Sequence, residues 1–409
     1  MLSEALVFLE CRECGKTFGH VLAHVCDECF GALEASYAPS RFSVSRSVIE
    51  GRRPSMWRYW EFLPLLDPSN KVDIGAGYTP LIRAERLAKR LGVTKLYLKN
   101  DTLNPTYSFK DRPSSLAISK AREFGLKAVG CASTGNLAGA TAAHSAAAGL
   151  PCYVFMPKSV EKAKIKQAAL YGAQLLLVEG TYDDANRLAA LAADRLEMGI
   201  VNVNLRPYYV EGSKTMGLEI VEQLGWRTPD RIVVPTASGA LFSAIFKGVG
   251  EAEQAGLISD SRVAMTCAQP LGCSPIVQAF REKSDTIKPV RHPDTIVQSL
   301  AIGEPGDGYQ ALRVLRESGG VAVSLTDDEC VEAAALLAST EGVFAEPGGA
   351  ISVAAVKRLV EEGEIGRDEE IVCCVTGSGL KTIELMPEPS GVRIIPPSID
   401  AVKKVLNTY

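Results

Sequence analysis

The sequence predicts an α/β protein built on mostly parallel sheets, and three observations predict it. From residue 73 onward, short apolar runs recur at 95–99, 128–132, 152–156, 174–178, 200–203, 231–235, 262–268 and 371–375. Amphipathic helical stretches separate most of them, as at 183–198, where Ala185, Leu188, Ala192 and Leu196 fall on one side. Loops rich in Ser, Thr, Asn and Gly follow several of the runs. Strands alternating with helices form layered sheets, and such sheets place their chemistry in loops at the carboxyl ends of strands.

The totals set outer bounds. The chain has 409 residues, enough for two or three domains with their own cores, and is 46% hydrophobic and 22% charged, an ordinary globular composition. A net charge of −4 and a pI near 5.8 argue against nucleic acid or an anionic membrane as partner. No apolar run approaches the roughly 20 residues of a membrane span. The first residues lack the charged region and cleavage site of a signal peptide, so a cytoplasmic protein is expected.

Taken in order, residues 1–40 read as a metal ribbon. Cys11-x-x-Cys14 and Cys26-x-x-Cys29 have the spacing of tetrahedral thiolate ligands, which suits a structural zinc; the alternative is four cysteines that merely pack. The segment is too small to hold a core without the metal. The other seven of the eleven cysteines lie in apolar runs and read as buried thiols. Residues 41–72 form an arm whose Trp57, Tyr59 and Trp60 suit packing against the body.

The strand at 95–99 leads into Asn104-Pro-Thr-Tyr-Ser-Phe-Lys-Asp-Arg112, with a helical stretch beyond. A lysine at a helix N-terminus can have a lowered pKa and form a Schiff base with a carbonyl cofactor, which makes Lys110 the candidate catalytic residue. Ser133-Thr134-Gly135-Asn136 follows the next strand and opens an Ala-rich helix; it reads either as a carboxylate nest or as a helix cap. Thr236-Ala237-Ser238-Gly239-Ala240 has the layout of a phosphate cradle. Thr376-Gly-Ser-Gly379 follows the last strand and offers a hydroxyl for a ring nitrogen, or is a Gly-rich turn.

These motifs, with Gly77-Tyr-Thr-Pro-Leu-Ile82, Glu211-Gly212, Lys214-Thr215 and Thr376-Gly-x-Gly-Leu-Lys381, resemble the threonine synthase family along nearly the whole chain. The resemblance implies a pyridoxal-phosphate lyase of fold type II, with two three-layer α/β domains. It implies a larger domain of residues 73–100 and 206–409, a smaller one of 101–205, and a homodimer. Lys110 would hold pyridoxal phosphate and move protons, Phe109 would flank its ring, and Asn136 would bond its phenolic oxygen. Thr236 to Ala240 would bind its phosphate, and Thr376 would face the pyridine nitrogen. Ser133, Thr134 and Gly135, with Asn136, would grip the carboxylate of a small amino-acid substrate. For the family, that substrate is O-phosphohomoserine, which with water gives threonine and phosphate.

The departures cluster near the substrate. Tyr107 stands where the family has glycine, and Tyr209 stands where it has the arginine that helps hold the substrate phosphate, with Arg206 nearby. An alternative therefore stays open: elimination or replacement on a different amino acid, of which a serine/threonine dehydratase is the simplest version.

Overall fold

The computed structural model describes residues 6–133, 135–158, 160–387 and 391–406. Three strands come first, β1 (Val7–Cys11), β2 (Thr17–Phe18) and β3 (Leu33–Tyr37), paired antiparallel in the order β2-β1-β3. Strict alternation along β1 and β3 turns Val7, Leu9, Cys11, Leu33, Ala35 and Tyr37 inward. Those side chains belong to the same buried cluster as the main body. The ribbon's inward side chains therefore pack into the body's core. Polar ties support it: the Tyr37 hydroxyl donates to Glu211 at 2.5 Å, and the Tyr208 hydroxyl donates to the Val21 carbonyl at 2.5 Å.

The arm packs on the body as well. Trp57 Nε1 donates to Ser115 Oγ at 2.9 Å, and the buried Tyr59 hydroxyl donates to Glu222.

Next come β4 (Leu81–Arg83), β5 (Lys95–Asn100), β6 (Val129–Ala132), β7 (Cys152–Pro157), β8 (Gln174–Val178), β9 (Gly199–Ile200), β10 (Arg231–Pro235), β11 (Ala264–Pro270), β12 (Val321–Leu325) and β13 (Glu370–Val375). Among the described residues they form two sheets. One has the order β12-β11-β10-β13-β5-β4, parallel except for β4, and the other is the parallel sheet β8-β7-β6-β9. Strands β10 and β13 and the inner strands of the smaller sheet are buried throughout or nearly so, as expected for parallel strands covered on both faces.

The chain leaves the larger sheet after β5, builds the smaller one, and returns at β10. Strand β13 inserts between β10 and β5 with Val375 opposite Asn100, which brings their carboxyl ends together.

Three expectations change. The run at 200–203 is a strand only at Gly199–Ile200, because Asn204 Oδ1 accepts from Ile200 N at 2.7 Å and turns the chain. Strand β12 (Val321–Leu325), after the Gly319-Gly320 pair, is an additional strand that the sequence reading does not include. The helix over 183–198 spans Tyr182–Arg195 and buries Ala185, Ala189 and Ala192, while Leu188 and Leu196 are 44% and 67% exposed. Residues at i, i+4 and i+7 share a helix face, and that face meets the smaller sheet through alanines rather than leucines.

Candidate active site

Four loops at strand ends build the site. The first runs from the end of β5 to helix α1 (Asp111–Glu123) and is pinned internally. Asn100 Oδ1 accepts from Thr102 Oγ1 at 2.7 Å, and Asp111 accepts from Thr106 N and Oγ1 at 2.8 and 2.9 Å. The loop is also clamped to the one after β13: Phe109 N donates to Thr376 O at 2.9 Å, and Ser378 N donates to Tyr107 O at 3.0 Å. This clamp sets Lys110 beside Thr376.

The φ of Tyr107 is +65°, a left-handed backbone that suits glycine, and the residue is 48% exposed. Its side chain thus stands apart from the residues that line the cavity.

The loops enclose a cavity of about 130 Å³ that brings together Phe109, Lys110, Ser133, Asn136, Thr236 to Ala240, Thr376, Arg206 and Tyr209. Lys110 Nζ donates to the Tyr209 hydroxyl at 3.1 Å and lies 4.4 Å from the centre of the Phe109 ring. Burial first, and then the Arg206 charge, lower the Lys110 pKa to about 8 against opposing pulls from Cys131 and Glu346. Lys110 immediately precedes α1, and burial is the largest cause of the depression. Burial also pushes the Tyr209 phenol up, so it stays protonated at neutral pH.

Helix α2 (Asn136–Ala148) starts at the second loop. Ser133 Oγ accepts from Gly135 N at 2.8 Å and Ala138 N at 2.9 Å, the pattern of a cap. Thr134 lies outside the described residues. Gly135, at φ +130°, packs where a Cβ would stand 2.2 Å from Lys164 Cδ, and it is not in the lining. Asn136 Nδ2 donates to Glu346 Oε1 at 2.6 Å, and its Oδ1 accepts from Lys381 Nζ at 3.0 Å. Burial, only partly opposed by Glu346 and Asp111, lowers the Lys381 pKa to about 8.

The third loop, Thr236 to Ala240, opens helix α5 (Ala240–Gln254), behind helices α3 (Arg206–Ser213) and α4 (Thr215–Gln223) in the chain. No side chain caps α5 at Gly239, so the first-turn N–H groups face the loop without an intrahelical partner. Gly239 has φ +94°, and a Cβ there would stand 2.6 Å from the Asp307 carbonyl oxygen. A small anion fits this cradle, supported by the helix dipole.

Glu346, Tyr182, Asn202, Ser213 and Ser299 also line the cavity, and Lys381 stands behind Asn136. None was singled out from sequence. Only Lys381 carried a signal, as the end of the Thr376-Gly-x-Gly-Leu-Lys381 motif.

Away from the cavity, the sulfurs of Cys11, Cys14, Cys26 and Cys29 lie within 4.8 Å of one another, with Cys11–Cys29 at 3.4 Å and Cys14–Cys26 at 3.7 Å. Four converging thiols fit a tetrahedral soft-metal site.

The family model described as pyridoxal-phosphate dependent enzyme matches residues 72–377. The threonine synthase of Methanocaldococcus jannaschii is 43% identical over 376 residues, covering 91% of this chain and 92% of that one. The threonine synthase of Methanosarcina acetivorans is 38% identical over 404 residues, 97% and 98% of the two chains. Among solved structures, diaminopropionate ammonia lyase from Escherichia coli superposes with a TM-score of 0.66 at 18% identity, covering 79% and 94%. Threonine deaminase isoform 2 from Solanum lycopersicum superposes at 0.63 and 23%, covering 75% and 82%. At these identities the structural likeness is one of fold.

Proposed function

The chain belongs to the pyridoxal-phosphate dependent enzymes and, within them, to the threonine synthases, and on that premise we propose that it converts O-phosphohomoserine and water to threonine and phosphate. The residues present fit the cofactor. A buried amine of lowered pKa, an aromatic ring, a hydroxyl at Thr376 and an uncapped helix end share one cavity with Glu346, whose Oε2 has no partner among the described residues.

When bound, pyridoxal phosphate supplies an electron sink for charge developing on the substrate carbons. Lys110 would carry it through the amine and then move protons between those carbons. Phe109 would flank the ring, and the loop from Thr236 to Ala240 would hold the phosphate. Thr376 would meet the ring nitrogen with a hydroxyl rather than a charge. Asn136 would bond the phenolic oxygen, keeping Lys381 as its support. Ser133 would help seat the substrate carboxylate through the loop it caps.

The observation that carries the substrate reading is Arg206. It lines the cavity three residues before Tyr209 on α3, so a guanidinium is available to a leaving phosphate although Tyr209 is not an arginine. Tyr209 then keeps a different task, holding the Lys110 amine. The test is to supply O-phosphohomoserine and measure phosphate and threonine, in parallel with 2-oxobutyrate from threonine and pyruvate from serine. Equal amounts of phosphate and threonine are expected. Oxo acid formation without phosphate release would overturn the reading in favour of a dehydratase.

A second expected result concerns pH. A protonated amine cannot attack the cofactor aldehyde, and the folded pKa of Lys110 is about 8. Cofactor uptake by the apoenzyme, followed by absorbance, should quicken as pH rises through 8 and level off above it. A rate still climbing past pH of about 10, the ordinary lysine value, would show an unperturbed amine.

The remaining assignments are part of the same proposal. Zinc on the four ribbon cysteines would be structural, since four thiolates close the site. The larger sheet would define the cofactor domain, and residues 101–205 the smaller one. A cytoplasmic homodimer completes the reading; among the described residues no helix is long and apolar enough to cross a membrane.

A further inference from the structure

Asp307 lies outside the cavity lining yet touches both of its anion-binding elements. Its carboxylate pairs with Arg206 through Oδ2 and accepts from Arg12 Nη1 through Oδ1 at 2.8 Å. Its backbone N–H donates to Ser238 O at 2.8 Å, and its carbonyl packs so close to Gly239 that only a glycine fits there. The side chain is 3% exposed. Arg12, 14% exposed, stands between Cys11 and Cys14 in the ribbon and also donates to Glu34 Oε2 at 3.2 Å.

We propose that Asp307 is a positioning residue for both phosphate sites, and that Arg12 makes the ribbon part of the active-site support. The charge arithmetic favours this. Glu34 and Asp307 together balance Arg12 and Arg206, but Asp307 is shared between the two guanidiniums, so Arg206 is only partly neutralised and keeps a pull on an anion. Asp307 meets Arg206 through a single oxygen, which leaves other guanidinium N–H groups for a ligand. Without the Asp307 carboxylate, the two arginines repel each other and Arg206 loses its fixed direction. Without Arg12, Asp307 neutralises Arg206 alone and is free to rotate. The same backbone contacts seat the Ser238–Gly239 turn, so Asp307 links the grip on the cofactor phosphate to the grip on the substrate phosphate.

The part concerning the substrate rests on the phosphorylated-substrate reading above; the part concerning the cradle does not. The test uses the full-length protein with Asp307→Asn, Arg12→Gln and Arg12→Lys. Three quantities are read: kcat and KM for O-phosphohomoserine, inhibition by inorganic phosphate, and the pyridoxal phosphate dissociation constant from absorbance titration of the apoenzyme.

Asp307→Asn should raise KM and weaken phosphate inhibition by about ten-fold, as for a member of one charge network, and should loosen the cofactor in the same direction. Arg12→Gln should give a smaller change of the same sign, with kcat little altered, and Arg12→Lys should restore part of it. If Asp307→Asn fails to fold, the Arg12 pair carries the test. All three quantities staying within two-fold of wild type, with only the melting temperature lowered, would make the cluster structural and overturn the proposal. If the wild type itself releases no phosphate from O-phosphohomoserine, the substrate reading fails, while the cofactor titrations still decide the role of Asp307 at the cradle.

Discussion

Lys110→Ala is expected to abolish turnover and, with it, the visible absorbance of the lysine-linked cofactor. The loss should exceed ~10⁴-fold, because the variant forfeits a positioned proton carrier, worth 10²–10⁴ by itself, as well as the covalent attachment. Among the described residues, Lys110 is the lysine that lines the cavity, and Lys381 behind it is committed to Asn136. The fold should survive. Lys110 Nζ makes one hydrogen bond, to Tyr209, and lies over the Phe109 ring. The melting temperature of the apoprotein should therefore stay close to wild type, which separates a chemical loss from unfolding. Lys110→Arg keeps the charge yet cannot form the linkage, and it should be as inactive. A Lys110→Ala protein that retained both activity and the visible band would mean that another amine does the work.

The second large effect is on stability. Arg112 is fully buried and donates to Asp101 from Nε at 2.7 Å and from Nη2 at 2.9 Å. It also pairs with Glu219, with Nη2 at 2.8 Å, and bonds Thr215 and Thr79, each at 3.1 Å. Lys99, also buried, pairs with Glu219 at 2.7 Å. Two cations thus face two carboxylates out of water. Arg112→Leu leaves Asp101 and Glu219 with Lys99 alone, and breaking a buried pair in this way costs about 3–5 kcal/mol. That is a large share of the ~5–15 kcal/mol that holds a protein folded.

A marked fall in the urea midpoint is the expected result, and Arg112→Lys should not restore it, because the forked geometry is lost. An unfolding free energy within about 1 kcal/mol of wild type would show the network to be dispensable.

The same network fixes an acid limb. Burial alone would raise the Glu219 carboxyl, but Arg112 and Lys99 outweigh it and hold its pKa at about 2. A carboxyl depressed in the folded state contributes stability above its ordinary value of 4.5, and that contribution fades as pH falls from there toward 2. The network also serves the site: Asp101 and Arg112 close the loop that carries Lys110, so losing it should loosen the cofactor as well as the fold.

Much of the layout was legible because its signals are local. A Cys-x-x-Cys pair, a strand running into a lysine-bearing turn, and small polar loops opening helices are short-range patterns whose geometry follows from backbone chemistry. These placed Lys110, Asn136, Thr236 to Ala240 and Thr376 on candidate loops, and the structure gathers them into one cavity.

What local pattern could not supply was direction and partnership. Tyr107, expected beside the substrate, has a positive φ and a half-exposed side chain outside the cavity lining. The 183–198 helix suggested one side shared by Ala185, Leu188, Ala192 and Leu196, but the fold buries the two alanines with Ala189 and leaves both leucines exposed. The ribbon read as a separate small unit, but its inward side chains share the body's core.

The sequence by itself determined the alternating α/β order, the cysteine cluster and the chemistry available at Lys110. These follow from periodicity and residue type within a few positions of the chain. Only the tertiary structure decided that Tyr209 holds the Lys110 amine, that Glu346 and Lys381 flank Asn136, and that Asp307 joins Arg12 to Arg206. Those pairs lie far apart in sequence. Buried charge and hydrogen-bonding capacity must be satisfied wherever packing brings the groups together, so such partners are chosen by the fold rather than by their neighbours in the chain.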